Sequence, residues 1–190
     1  MENVFEEKGI QFKVITEKMI PEVSDFLWIH FFPDEPICRS LGVTRNWFTD
    51  TYLKDAMKDG SSMVAMDREG NIVGARLGLR RRRSEWGTWL VEKLMSMLPT
   101  RLWVMILPKE LSQEIPIIEK LFPLLEYDLW NMLDKLDCET IYEDRALCTA
   151  RTSRVKGLGT ELCRRTEILA EELGCTHTYA LVTGLLYADV

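Results

Sequence analysis

The amino-acid sequence predicts one α/β (α+β) domain, with a central sheet and flanking helices, over residues 1–190. The chain has 190 residues, of which 46% are hydrophobic, and this suffices for one continuous core. Short segments in which apolar and polar residues alternate, as in strands, are interspersed with longer segments of helical spacing. Near the C-terminal end, a loop with two glycines separates such a strand from such a helix. Two independent domains are not expected.

The N-terminal part is predicted to contain a strand and two helices. Ile10–Ile15, with the sequence IQFKVI, alternates between apolar and polar residues, and Thr16 follows as a helix cap. The first helix is expected over Lys18–Phe31, where the prolines of FFPDEP end it. The second helix is expected over about Asn46–Lys58, with Gly60 at its end.

The next segment contains the clearest hairpin. Ser62–Ala65 and Ile72–Leu79 are apolar runs on either side of Asp67–Asn71, which has turn chemistry. The basic run Arg80–Arg83 that follows is expected to be a solvated strand end or loop. Leucine, methionine and tryptophan at helical spacing predict two or three helices in Ser84–Cys138, with breaks at four prolines.

The C-terminal part is predicted to form a strand, a helix and a further strand. The strands are expected over Ala146–Ala150 and Thr176–Thr183, and the helix over Gly159–Leu173 with Gly174 at its end. The core-facing stripe of this helix consists of Leu162, Thr166, Leu169, Ala170 and Leu173. Its charged residues are placed away from that stripe; they are Glu161, Arg164, Arg165, Glu171 and Glu172.

The charge and the cysteine content argue against several classes of function. The net charge of -6 gives no basis for binding to nucleic acid or to an anionic membrane. The N-terminal MENVFEEKGI lacks the features of a signal peptide, and Trp86–Leu107 is too polar to span a bilayer, so a cytoplasmic location is expected. Five scattered cysteines and two histidines show no zinc-ligand spacing, so no metal site is expected.

The loop Ser153–Leu162, with the sequence SRVKGLGTEL, carries the strongest functional signal. A glycine-bearing loop before a helix exposes unpaired backbone N–H groups at the positive end of the helix dipole, which suits a phosphate. A Walker A loop is excluded because Lys156 precedes both glycines. A dinucleotide fingerprint is excluded because Leu162 stands where a glycine or alanine is needed. The remaining pattern is R-x-x-G-x-G over Arg154–Gly159.

With this signature and the predicted order of elements, the sequence resembles the GNAT superfamily of N-acetyltransferases over about residues 10–183. The segments FFPDEP and ICRSLG resemble the insect arylalkylamine N-acetyltransferase branch, and PKELSQEI and YALVTG fit the same branch loosely. The resemblance implies a GNAT-type mixed central sheet with flanking helices. Relatives continue for roughly fifty residues more, a substantial part of a domain. Since the chain stops at Val190, the usual C-terminal helix and closing strands are expected to be absent.

The resemblance implies acetyl-coenzyme A (acetyl-CoA) as the cosubstrate, with no metal. Backbone N–H groups of the glycine loop would hold the pyrophosphate, Arg154 would shape the loop, and the strand before it would pair with the pantetheine arm. The implied cofactor-binding residues are Leu147, Cys148, Thr149, Arg154, Val155, Lys156, Gly157, Leu158, Gly159 and Thr160. A covalent acyl-enzyme on Cys148 is less favoured than direct transfer, since no histidine motif lies beside it to form a thiolate.

The resemblance also selects Glu35, between two prolines, as the general base that takes a proton from the amine through a water molecule. The alternative for Glu35 is a helix-capping or exposed loop acid. Asp34 is the second choice, as a group that attracts the cationic amine. Phe31 and Phe32 either face an aromatic amine or pack in the core.

The implied function is acetyl transfer from acetyl-CoA to a small primary amine, above all an arylalkylamine. The main alternative is a catalytically impaired or non-catalytic protein that binds CoA, or a partner through an open sheet edge. This alternative arises because the family segment beyond Val190 supplies one wall of the CoA site and the acid for the leaving thiolate, for which Tyr187 is a weak replacement. Acetylation of histones or protein N-termini is less favoured. The sequence leaves the amine and the oligomeric state open.

Overall fold

The computed structural model describes residues 5, 8–41, 44–45, 53–54, 57, 59–83, 133, 135–153 and 155–180. Over these residues the chain forms both strands and helices. In chain order they are β1 (Gln11–Val14), a 3-10 turn (Glu17–Met19), α1 (Ile20–His30), α2 (Pro36–Leu41), β2 (Met63–Met66), β3 (Ile72–Arg82), β4 (Thr140–Thr149), α3 (Leu158–Glu172) and β5 (His177–Ala180).

The five strands form one mixed sheet in the order β1-β2-β3-β4-β5. β1 pairs with β2, and β2 with β3, in antiparallel fashion, whereas β4 and β5 are parallel. The N–H of Ala150 donates to the carbonyl of Val73 at 2.9 Å, so the start of β3 lies beside the end of β4. The predicted α/β class with a mixed sheet is confirmed.

The chain divides into two compact units. The first, Met1–Arg81 with Thr140–Val190, contains nearly all of the sheet. In the second, Arg82–Glu139, the Arg83 guanidinium donates to the carbonyl of Leu133 at 2.9 Å. The helices expected in residues 84–138 fall mostly outside the described residues, and the single-domain expectation stays a prediction.

Each face of the sheet carries its own apolar core. α1 covers one face, where Val23 and Leu27 are fully buried beside Val64 and Ala75 of the sheet. α3 covers the other face, where Leu158 and Leu162 are buried against sheet residues; the buried members of that cluster are Phe5, Ile10, Met63, Ala65, Leu158 and Leu162. The predicted apolar stripe of α3 therefore packs on the sheet. This packing holds the N-terminal end of the helix against the sheet.

The predicted hairpin is confirmed. β2 and β3 pair from Met63 opposite Arg76 to Met66 opposite Ile72, with one irregularity before Met66. In the turn the Asp67 carboxylate accepts the N–H of Asn71 at 2.8 Å. These bonds from Asn71 lower the pKa of Asp67, because they favour its charged form.

The strand predicted at Ala146–Ala150 begins earlier than expected, at Thr140, and β3 extends through Arg82. Acidic residues of β4 and basic residues of β3 pair across the sheet. The guanidinium of Arg81 lies 2.9 Å from Glu143, which also lies 3.3 Å from Arg145. Of the two expectations for the basic run, a solvated strand end or a loop, the structure has a strand end at Arg82, in which Arg81 is paired rather than solvated.

The structure also corrects the prediction for Glu161, which was placed away from the core-facing stripe of its helix. Its side chain is buried, and the residue is only 4% exposed. Its carboxylate lies 2.8 Å from both Arg164 and Arg165, and the hydrogen bonds from these arginines lower its pKa. The Arg165 guanidinium lies 4.3 Å from the ring of Phe12. An acid with two cationic neighbours can thus be shielded without losing its charge.

The remaining predicted elements agree with the structure to within a few residues. Thr16 stands before the 3-10 turn, but its side chain makes no capping bond. Leu53, Lys54 and Met57 are helical, as expected for the second predicted helix. β5 covers the start of the last predicted strand, whose residues 181–183 lie outside the described part. None of the helices in the described part is long and apolar enough to cross a membrane.

Candidate functional site

The glycine loop ends at the N-terminus of α3, as predicted. Gly157 is the N-cap residue and has a φ of 85°, in the left-handed region that favours glycine. Its carbonyl accepts the N–H of Glu161 at 3.0 Å, and the N–H of Leu158 donates to Val155 at 3.4 Å. No residue in the described part accepts the N–H of Gly159 or Thr160. The helix therefore presents unpaired donors at its positive end.

Within the described residues, packing does not require a glycine at position 159. A Cβ at this position would lie 4.0 Å from Cγ2 of Thr149, which is an ordinary contact, and no positive φ demands a glycine there. The glycine therefore leaves room in front of the helix N-terminus that the fold itself does not need.

Some of the other residues of the predicted loop are exposed and some are buried. Lys156 and Thr160 are exposed, whereas Leu158 is buried and Val155 packs against the same core cluster. The side chain of Leu158 therefore anchors the helix, and its backbone N–H is engaged by the carbonyl of Val155 at 3.4 Å. Arg154 lies outside the described residues.

The end of β4 supplies the second predicted part of the site. β4 pairs with β5 from Ile141 to Asp144 and continues to Thr149. Leu147 and Thr149 are exposed, while Cys148 between them is half-buried and packs against the core under α1. On the side of β5, the pairing of β4 within the described residues ends at Asp144, whereas on the side of β3 the N–H of Ala150 donates to the carbonyl of Val73.

Burial raises the pKa of Cys148 to about 12. At pH 8 its thiolate fraction is then about a thousandth of that of an ordinary cysteine. We predict that iodoacetamide alkylates Cys148 of the folded protein very slowly at pH 8, and that the rate rises steadily with pH. Peptide mass spectrometry of timed samples measures this. Labelling at the rate of free cysteine would contradict the burial and would reopen a nucleophilic role.

Glu35 lies directly before α2 and caps it. Its Oε2 accepts the N–H of Cys38, three residues on, and its own N–H donates to the carbonyl of Phe31 at 3.0 Å. Burial and the neighbouring Glu35 raise the pKa of the Cys38 thiol to about 12. The structure therefore shows Glu35 in the helix-capping role. Capping also fixes the position of the carboxylate, which a general base requires.

Asp34 forms an ion pair that the sequence did not predict. Its Oδ1 lies 2.5 Å from Nη2 of Arg151, and its Oδ2 accepts Nε of the same guanidinium at 3.1 Å. Both side chains are more than half exposed, so the pair is worth at most about 1 kcal/mol. The ion pair matters for the arrangement of the site rather than for stability, because it connects the loop after α1 to the loop after β4.

Phe31 and Phe32 belong to an aromatic cluster with Trp28. Phe32 stacks on Trp28 with ring centroids 4.1 Å apart, and Phe31 meets Phe32 edge-on at 5.4 Å. All three are partly buried and pack against the same core cluster as Cys148. The structure therefore places the aromatic residues, the acidic loop and the end of β4 on one side of the sheet.

The sequence reasoning did not identify Arg151 or Trp28. Arg151 is separated from Asp34 by 117 positions, and no local pattern pairs them. Trp28 sits four residues before Phe32, a spacing at which side chains are neighbours on a helix, so the helical period alone could have indicated this pair. Within the described residues there is no group of three or more histidine, cysteine, aspartate or glutamate side chains that could hold a metal ion.

No protein-family model and no curated protein sequence matches the chain. Among solved structures it is similar to arylalkylamine N-acetyltransferase 2 from Aedes aegypti, with 25% identity and a TM-score of 0.73. The match covers 93% of this chain and 77% of that one.

Two further solved structures have the same fold at lower identity. A Drosophila melanogaster polyamine N-acetyltransferase, which forms N-acetylagmatine, has 16% identity and a TM-score of 0.67 over 94% of this chain and 78% of its own. Mosquito arylalkylamine N-acetyltransferase like 5b has 15% identity and a TM-score of 0.67 over 93% and 78%. With the mixed sheet and the glycine loop before α3, these likenesses show that the chain has the fold of the GNAT N-acetyltransferases.

Proposed function

We propose that the protein transfers the acetyl group of acetyl-CoA to a small primary amine, and that the amine is an arylalkylamine. The observation that carries the proposal is the glycine loop at the start of α3, in a chain whose fold matches the Aedes aegypti arylalkylamine N-acetyltransferase at 25% identity. Two backbone donors without partners in the described part, and a glycine that packing does not require, suit an anionic ligand.

The residues present fit the cosubstrate. The N–H groups of Gly159 and Thr160 would hold its pyrophosphate, and the exposed Lys156 would add a positive charge beside them. The backbone of Leu147, Cys148 and Thr149 would pair with the pantetheine arm, as an added strand pairs with a sheet edge. Bound acetyl-CoA would supply a thioester carbonyl for the amine nitrogen to attack, with CoA leaving as its thiolate.

In this proposal Glu35 accepts, through water, the proton that the ammonium group must lose before its nitrogen can attack. The capping bond from Cys38 holds the carboxylate in place. The neutral thiol of Cys148 is a poor nucleophile, which favours direct transfer over a covalent acyl-enzyme. Asp34 adds negative charge at the same loop, although Arg151 balances part of it.

We predict that Glu35→Gln lowers kcat by about 100-fold or more, the usual contribution of a general base. The amide keeps an oxygen that can accept the N–H of Cys38, so the start of α2 is retained while the proton acceptor is lost. Thiol release from acetyl-CoA over a panel of amines, measured from pH 6 to 10, tests this. The variant should recover part of its rate at high pH, where the amine is already neutral.

Equal rates for the wild type and Glu35→Gln would remove Glu35 from the role of base. Glu35→Ala serves as the control for the cap, because it removes both the acid and the capping oxygen. A loss confined to Glu35→Ala would assign Glu35 to helix capping alone. Calorimetry with CoA completes the test: tight binding without turnover of any amine would favour the non-catalytic alternative.

A further inference from the structure

The indole nitrogen of Trp28 is buried and lacks a hydrogen-bond partner in the part of the chain that the structure describes. Trp28 as a whole is only half-buried, so the ring edge that carries the nitrogen is the enclosed one. A tryptophan N–H in such a place usually finds an acceptor, because leaving a buried donor unpaired is costly. A ligand with an oxygen at this place would satisfy the donor.

The position of Trp28 connects this donor to the candidate base. Trp28 stacks on Phe32 at 4.1 Å, and Phe31 contacts Phe32 edge-on. The carbonyl of Phe31 accepts the N–H groups of both Asp34 and Glu35 at 3.0 Å. The aromatic cluster and the residue that carries the carboxylate are thus joined through a single turn of backbone.

The cluster and the donor call for complementary features in a ligand. Aromatic side chains favour an aromatic ring by offset stacking or edge-on contact. A buried N–H favours a ring that carries an oxygen, because a ring without one leaves the donor unpaired. The chemistry of the cluster thus describes a hydroxylated aryl group with an amine on a short chain.

We propose that Trp28 is a specificity-determining residue, whose indole N–H donates to a ring hydroxyl of the amine and so selects phenolic arylalkylamines over those with an unsubstituted ring. The inference rests on the acetyltransferase function proposed above, which it makes more specific. Trp28 takes no part in proton transfer. It affects the affinity for the amine, and so the ratio of the affinities for two amines.

The test compares tyramine with 2-phenylethylamine, which differ only by the ring hydroxyl. Calorimetry on the full chain with saturating CoA is expected to show that the wild type binds tyramine at least about fivefold more tightly. Trp28→Phe keeps an aromatic ring and removes the donor, so the ratio should fall to about one through weaker binding of tyramine. The fluorinated analogue 4-fluorophenylethylamine is close in size but a poor acceptor, and should bind the wild type as 2-phenylethylamine does.

Phe32→Leu is the matched control, because it disturbs the stack and leaves the indole N–H in place. It should weaken both amines and preserve their ratio. The proposal is overturned if the wild type does not discriminate, if neither amine binds, or if Trp28→Phe keeps the preference. If Trp28→Phe fails to fold, the fluorinated analogue still tests the proposal on the wild type. Discrimination in binding without acetylation of any amine would defeat the proposed function and leave the role of Trp28 standing.

Discussion

Arg76→Met is expected to lower the free energy of unfolding by about 3–5 kcal/mol, because it leaves the carboxylate of Asp144 enclosed without its counter-charge. The Arg76 side chain is 5% exposed and that of Asp144 is 14% exposed. Nη2 and Nε of Arg76 lie 2.9 and 3.0 Å from Oδ2 of Asp144. Urea unfolding at pH 7 measures the change, with an unchanged m value as the sign of an unaltered unfolded state.

The expected loss of stability is large because Arg76 contacts several elements of the fold. From β3 it reaches Asp144 on β4, and its Nη1 donates to the carbonyl of Cys163 at 2.8 Å and to Oγ1 of Thr166 at 2.6 Å on α3. Its guanidinium also lies 5.6 Å from the ring centroid of Tyr142. One side chain therefore links two central strands to the helix that carries the glycine loop.

Two further variants separate loss of the pair from loss of volume. The double variant Arg76→Met with Asp144→Leu should recover much of the stability, since replacing both charges by apolar groups removes the uncompensated carboxylate. Arg45→Met breaks the exposed Arg45–Asp25 pair, and should cost less than about 1 kcal/mol. A loss for Arg76→Met as small as that for Arg45→Met would show that the buried pair is solvated.

The errors of the sequence-based prediction share this physical origin. Periodicity locates elements by their apolar faces, and it succeeds where charges stay in water, as in α1. It fails where charged residues pair inside the fold. The predicted strand began only at Ala146, yet Glu143 and Asp144 lie within β4 and each has an arginine from β3 as a partner. Such pairs join residues more than 60 positions apart, which no local pattern indicates.

The candidate site divides in the same way. The glycine loop is local, so its spacing alone predicted the loop and the helix after it, and the structure adds the left-handed φ of Gly157. The partners of the acidic loop are not local. Asp34 meets Arg151 across the chain, and the unpaired indole of Trp28 is recognised only once burial and neighbours are known. Sequence predicted the backbone of the site, and the structure adds the side chains that surround it.

Gly159→Asp is expected to weaken the binding of CoA by about 100-fold or more while leaving the fold as stable as before, or more so. A carboxylate in the first turn of a helix interacts favourably with the helix dipole, and a helical glycine is itself unfavourable. A Cβ added at this position meets nothing closer than 4.0 Å within the described residues. The same negative charge would stand a few ångströms from the pyrophosphate, where like charges repel by several kcal/mol.

The opposite signs of the two effects make this prediction decisive, because a variant that merely damages the fold would lose both binding and stability. Calorimetry with CoA and thermal unfolding on the same preparation measure them together. Gly157→Ala is the contrasting control: its φ of 85° is unfavourable for alanine, so it should lower stability by about 1–2 kcal/mol. Affinity for CoA within threefold of the wild type in Gly159→Asp would mean that the N-terminus of α3 does not hold the phosphates, and the proposed function would lose the observation that carries it.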